Sequence, residues 1–180
     1  MRNTLVLTVL AADRTGLVEL LAERIVAAGG NWEESRMARL AGQFAGILRV
    51  TCDAHRCDEL SAALRALDAF GLQVTVRGAS SDRSHSDAPG ARIQLQLTGA
   101  DRPGIVRDIS RVLAERGVNV EELESEVSSA PMSAEPLFTA RARLLVPPGV
   151  ALGDLRSGLE GLAGELMVDL AVLEREQMTP

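Results

Sequence analysis

The apolar positions of this chain follow one order twice. Residues 4–11 form a near-continuous apolar run without Gly or Pro, which predicts a strand buried on most sides. Leu17, Leu21 and Ile25 then recur at i, i+4 and i+8, with Val18 and Leu20 widening the stripe. That spacing predicts a helix over about 16–28, closed by Gly29-Gly30. Residues 31–40 read as an extended segment, Ala41-Gly42-Gln43 as a hairpin turn, and 44–52 as the returning strand. A second helix over 58–69 sets Leu60, Leu64 and Leu67 on one face. Gly71 stops it, and Leu72, Val74 and Val76 alternate as a last strand.

A polar stretch follows, read as a flexible linker over 79–91 in which His85 is simply solvated. The order then repeats. Residues 92–97 alternate strictly, so their sheet has one wet and one dry face. Ile105, Ile109 and Leu113 mark a helix closed by Gly117. Leu123, Ser125 and Val127 begin the next strand, and an insertion at 128–136 lengthens the hairpin before Phe138, Ala140, Ala142 and Leu144 return. The last helix keeps Leu152, Leu155, Leu159 and Leu162 but carries Gly153, Gly158, Gly161 and Gly164. Each interior glycine costs about 1 kcal/mol against alanine, so this helix is expected to depend on packing or to lie close against another element. Val168, Leu170 and Val172 complete the sheet, and 176–180 are expected to be a loose tail.

The repetition is also literal. At an offset of 88 residues, Leu7, Ala12, Asp13, Arg14, Gly16, Val18, Gly29, Asn31, Glu33 and Glu34 match residues 95, 100, 101, 102, 104, 106, 117, 119, 121 and 122. These are ten ungapped identities in 32 positions, so the chain carries an internal duplication. Two βαββαβ units predict an α+β protein of two ferredoxin-like domains, at 1–78 and 92–175, each with a four-stranded antiparallel sheet and both helices on one face. One sheet face per domain is left to pair elsewhere, with the other repeat or with a second chain.

Composition narrows the function. A net charge of −6 and a pI near 5.0 argue against direct DNA or RNA binding, where a basic footprint supplies most of the affinity. Aromatic residues are 2% of the chain, with Trp32 the sole tryptophan, so base-stacking surfaces are missing and the core must be aliphatic. No apolar run is long enough for a membrane helix, and the N-terminal stretch belongs to the repeat, which points to the cytoplasm.

Candidate chemistry is sparse. Cys52, His55 and Cys57 lack a zinc-type spacing and a fourth ligand, so no metal is expected. Nucleophile-elbow, Walker and dinucleotide-binding motifs do not occur. Glu33-Glu34 and Glu121-Glu122 are adjacent on extended segments, so alternation should send them to opposite faces and leave them solvated. The chain is expected to be no enzyme and to need no cofactor. What remains is Asp-Arg-x-Gly between strand and helix in both copies. The first turn of a helix presents unpaired N–H groups able to hold a carboxylate.

Ala-Asp-Arg-Thr-Gly-Leu-Val followed by Gly-Gly-Asn-Trp-Glu-Glu-Ser-Arg-Met-Ala, echoed by Ala-Asp-Arg-Pro-Gly-Ile-Val and Gly-Val-Asn-Val-Glu-Glu-Leu, resembles a tandem ACT domain. More narrowly it resembles the glycine cleavage system transcriptional repressor family, over residues 4–174. The resemblance implies a cytoplasmic regulatory protein that senses a small amino acid, glycine or serine by analogy. It also implies a homodimer, or an intramolecular pairing of the two domains, working through a transcription factor or a metabolic enzyme. It assigns one ligand site to Asp13, Arg14, Thr15, Gly16, Leu17, Val18 and Asn31. The other would be Asp101, Arg102, Pro103, Gly104, Ile105, Val106 and Asn119. An acidic side chain at 13 or 101 should turn away from a ligand carboxylate or bind its ammonium. Thr15 stands where the second copy has proline and is expected to offer a helix cap. Trp32 replaces a small aliphatic residue and is expected to plug the core or part of a pocket.

Overall fold

A computed structural model describes residues 1–78, 89–129, 135–166 and 168–174. The chain divides into two compact units, Met1–Ser84 and His85–Pro180. Most of the 79–91 stretch, including His85, the centre of the 128–136 insertion and the 176–180 tail lie outside the described residues.

In the first unit β1 (Arg2–Ala12) leads to α1 (Leu17–Ala27), β2 (Asn31–Leu40), β3 (Gln43–Asp53), α2 (Cys57–Arg65) and β4 (Leu72–Gly78). The sheet order is β2-β3-β1-β4, and every pairing is antiparallel. Alternation sorts β1 into two faces. Leu5, Leu7, Val9 and Ala11 are buried beneath the helices, whereas Val6 is half-buried and Leu10 exposed. The apolar run therefore predicted too much burial, because the helices cover only one face of this unit's sheet. Leu17, Leu21 and Ile25 of α1 and Leu60 and Leu64 of α2 close the core over Leu48 and Val50. Burying each such side chain contributes about 1.5–3 kcal/mol.

The second unit repeats the plan with β5 (Ala91–Ala100), α3 (Ile105–Glu115), β6 (Asn119–Ser129), β7 (Pro136–Val146), α4 (Leu152–Leu166) and β8 (Val168–Glu174). Its order, β6-β7-β5-β8, is the same, and its core gathers Ile93, Leu95, Leu97, Ile109, Leu113, Leu155 and Leu159. The two four-stranded sheets with helices on one face are the ferredoxin-like architecture that the pattern predicts.

Local departures have local causes. The β2–β3 hairpin turns on Ala41 (φ 48) and Gly42 (φ 77), two left-handed residues as a tight two-residue turn requires. The second helix of the first unit is shorter than its periodicity suggests, with 3₁₀ turns at Ala54–Arg56 and Ala66–Phe70 flanking α2. β6 begins at Asn119 rather than Leu123, because a register shift between Val120 and Glu122 interrupts the alternation that would have revealed it. Among the glycines of α4, only Gly158 meets another element, the Arg116 guanidinium at the end of α3. Gly153, Gly161 and Gly164 face open space, so close packing does not account for them.

Candidate functional site

The β1–α1 connection is held from both sides. The Asp13 N–H donates to the Gly42 carbonyl at 2.9 Å, and Arg14 Nη2 donates to the Phe70 carbonyl at 3.0 Å. Gly16 caps α1 at φ 90 with no side-chain hydrogen bond, so Thr15 does not act as the cap. Gly104 occupies the matching place at φ 97, and the Asp101 N–H donates to the Pro136 carbonyl at 2.9 Å. A left-handed residue before the first turn suits glycine alone at low cost. The helical bonds begin with the Leu20 N–H to the Gly16 carbonyl and the Asp108 N–H to the Gly104 carbonyl, so the N–H groups before them have no partner within the helix. Leu17 and Ile105 belong to the cores, so any part they play at this end is through the backbone. Val18 and Val106 are exposed beside them.

The repeated aspartates are placed differently. Arg39 Nε lies 2.7 Å from Asp13 Oδ2, tying that carboxylate to β2. The residue matching Arg39 in the second unit, by offset and by strand register, is Val127. Asp101 is exposed, and among the described residues no ion pair engages it. One turn into α3, the Arg107 guanidinium bonds Asp108 at 2.9 Å and holds its carboxyl below the usual carboxylate range.

Asn31 and Asn119 are not brought to this end. Asn31 pairs with Thr51, which pairs with Thr4 near the start of β1, whereas Asp13 follows the end of that strand. Eight residues of strand separate them, about 26 Å at 3.3 Å per residue. Asn119 stands in the same relation to Asp101. Within a unit the proposed loop and its asparagine do not form one pocket.

The paired glutamates correct an expectation. The bulge at Glu33 breaks the alternation, and both carboxylates turn to Arg49, with Glu33 at 3.2 Å and Glu34 at 3.6 Å. Glu33 also accepts a bond from the hydroxyl of the buried Thr51 at 2.9 Å. In the second unit Glu122 binds Arg143 at 2.6 Å and Glu121 binds Arg92 at 3.3 Å. The arginines escaped sequence reasoning because each belongs to another strand: the register sets Arg49 and Arg143 opposite Glu34 and Glu122, and Arg92 comes from β5, one strand further away.

Cys52 is buried, and burial together with its hydrogen bond to the Cys57 thiol pushes its pKa up to about 12. Among the described residues no three His, Cys, Asp or Glu side chains gather in a metal-binding group. No helix among them is long and apolar enough to cross a membrane.

The ACT domain family matches twice, over residues 3–77 and 93–141, the two stretches that carry the repeated loop. The chain is a tandem ACT-domain protein. It is homologous to the glycine cleavage system transcriptional repressor of Escherichia coli (strain K12), at 26% identity over 129 residues, which is 72% of this chain and 67% of that one. A solved structure of an unknown protein from Galdieria sulphuraria is 31% identical with a TM-score of 0.86, covering 98% of this chain and 100% of that one. A candidate glycine cleavage system transcriptional repressor of solved structure shares the fold, with a TM-score of 0.71 at 18% identity over 97% of this chain and 99% of that one. Two ACT domains and this homology make the chain similar to regulatory proteins.

Proposed function

We propose that this protein is a non-enzymatic, amino-acid-responsive regulator that modulates transcription indirectly, through a DNA-binding partner. The observation that carries the reading is the duplication of one ACT loop, Asp-Arg-x-Gly on a helix N-terminus, in a chain homologous to a transcriptional repressor. The acidic balance of the chain supports an indirect route to DNA. Asp13 to Val18 and Asp101 to Val106 are the residues assigned to ligand. The first-turn N–H groups receive the α-carboxylate, and Asn31 and Asn119 serve only where a neighbouring domain presents them. The protein works in the cytoplasm as a homodimer, and glycine and serine are the first ligands to try.

Calorimetry of the full chain against glycine, serine and the other amino acids tests the sensor. Saturable heat supports it, and flat traces from folded protein reject it. Affinity capture then decides the route. Recovery of a DNA-binding protein supports transcriptional control. Recovery of a metabolic enzyme replaces it with regulation of that enzyme.

A further inference from the structure

The two ACT domains differ in what lies between the first helix and the outer strands. In the second unit a groove of about 210 Å³ runs along α3. Val106, Ile109 and Leu113 form one wall, and Leu123, Phe138 and Ala140 the other. Ten of its eleven lining residues are apolar, and the exception is Ser110. Its rim is open, since Val106 is 40% and Leu123 48% exposed. In the first unit the matching positions are filled. Trp32 replaces Val120 and Leu48 replaces Ala142 of the lining, Met37 replaces Ser125, which pairs with the lining Ala140, and all three pack against that core. Ser35 and Gly46 are smaller than Leu123 and Ala140, but Met37 lies so close over Gly46 that a β-carbon there would meet its Cγ at 2.5 Å.

We infer that the second ACT domain alone is the ligand-binding one, and that it takes a free amino acid with a branched aliphatic side chain, which enters this groove. The inference rests on the sensor reading above and names its ligand class. A cavity of roughly 150 Å³ holds a single benzene ring, and drug-sized sites begin at about 300 Å³. A volume of about 210 Å³ therefore suits one aliphatic side chain rather than a drug-sized molecule. Glycine and serine would leave this apolar space unfilled. The lining offers a buried group almost nothing to hydrogen-bond, so the ligand's charged end must remain at the rim.

The rim supplies what that end needs. Val106 lines the groove and is also the second residue of α3, directly after the Asp-Arg-Pro-Gly loop. A carboxylate on the first-turn N–H groups thus places the side chain of an amino acid over Val106 and into the groove. Phe138 pairs with Gly99, two residues before Asp101, so the same end of the groove adjoins the aspartate that no arginine among the described residues holds. Asp101 is left to receive an ammonium, a charge-assisted bond. In the first unit both conditions fail together. The groove is plugged, and Arg39 already occupies Asp13.

The test is calorimetry of the full chain with L-leucine, glycine and serine. Two variants accompany it. One carries Val120→Trp, Ser125→Met and Ala142→Leu, which put the first unit's filling residues at the matching positions of the second. The other is Asp101→Asn, a surface change that spares the core. Saturable leucine heat, absent with glycine, lost in the graft and weakened roughly tenfold in Asp101→Asn, is the expected result. Trp32→Val is expected to leave it unchanged. Leucine binding that survives both variants overturns the placement. Glycine or serine binding without leucine keeps the sensor and overturns the groove. No amino-acid binding removes both readings. A change of oligomeric state in the graft without leucine binding would give the groove to a protein side chain and reject the inference.

Discussion

Arg39 holds Asp13 at 2.7 Å in the first domain, and the second domain has Val127 where that arginine would stand. The same loop is therefore locked in one copy and open in the other. Restoring the lock should separate binding from folding. In Val127→Arg the new guanidinium is expected to compete for Asp101 and weaken leucine binding several-fold, while stability changes by at most about 1 kcal/mol, the usual worth of an exposed ion pair. Arg39→Ala is expected to cost the first domain no more than that. Urea unfolding beside calorimetry checks both. A Val127→Arg protein that binds leucine with full affinity would remove Asp101 from the site.

The open glycines of α4 are a stability reserve. Gly153→Ala and Gly161→Ala should each stabilise the second domain by about 1 kcal/mol, since neither β-carbon meets anything. That corresponds to a rise of roughly 4–8 °C for a domain of this size. Gly158→Ala should gain less, because its β-carbon displaces Arg116, whose Nη1 donates to the Val112 carbonyl. Differential scanning calorimetry of the three variants decides. Equal gains at all three positions would mean that the Arg116 contact costs nothing to move.

Ala41 is the one non-glycine residue at positive φ among the described residues. A left-handed alanine costs about 1–2 kcal/mol. Ala41→Asn makes the Asn-Gly pair that two-residue hairpins favour and is expected to stabilise the first domain by about 1 kcal/mol. Thermal unfolding of the variant measures it, and a lowered midpoint would contradict the turn geometry.

The two thiols should behave unlike one another. Burial raises the Cys52 pKa from 9.0 to about 12, so the native fold favours its neutral form. A raised pKa contributes stability that is complete below 9.0 and is lost as the pH climbs toward about 12. At pH 8 iodoacetamide is expected to modify the half-exposed Cys57 and spare Cys52, with both reacting in denaturant. Peptide mapping by mass spectrometry reads the outcome. Prompt native labelling of Cys52 would contradict its burial.

How far the sequence could be read depended on the period of each signal. The alternation of Ile93, Leu95 and Leu97 and the four-residue spacing of Leu17, Leu21 and Ile25 are core-facing, and they placed the strands and helices correctly. The bulges at Glu33 and Glu121 were hidden, because each follows a single apolar residue, Trp32 or Val120, and shifts the alternation before it is long enough to read. The loop residues were legible by repetition. The difference between the two loops was not, since it depends on Arg39 and Val127 arriving from another strand. Trp32 was legible as a plug, but the groove that it fills becomes visible only beside its vacant counterpart under Val120.

Trp32 has a practical consequence for anyone who titrates this protein. As the sole indole, seated in the plugged domain, it gives the chain a fluorescent reporter on one half only. A leucine-dependent change in its colour or intensity would therefore show the first domain responding to ligand, and its loss in Asp101→Asn would tie that response to the second domain's loop.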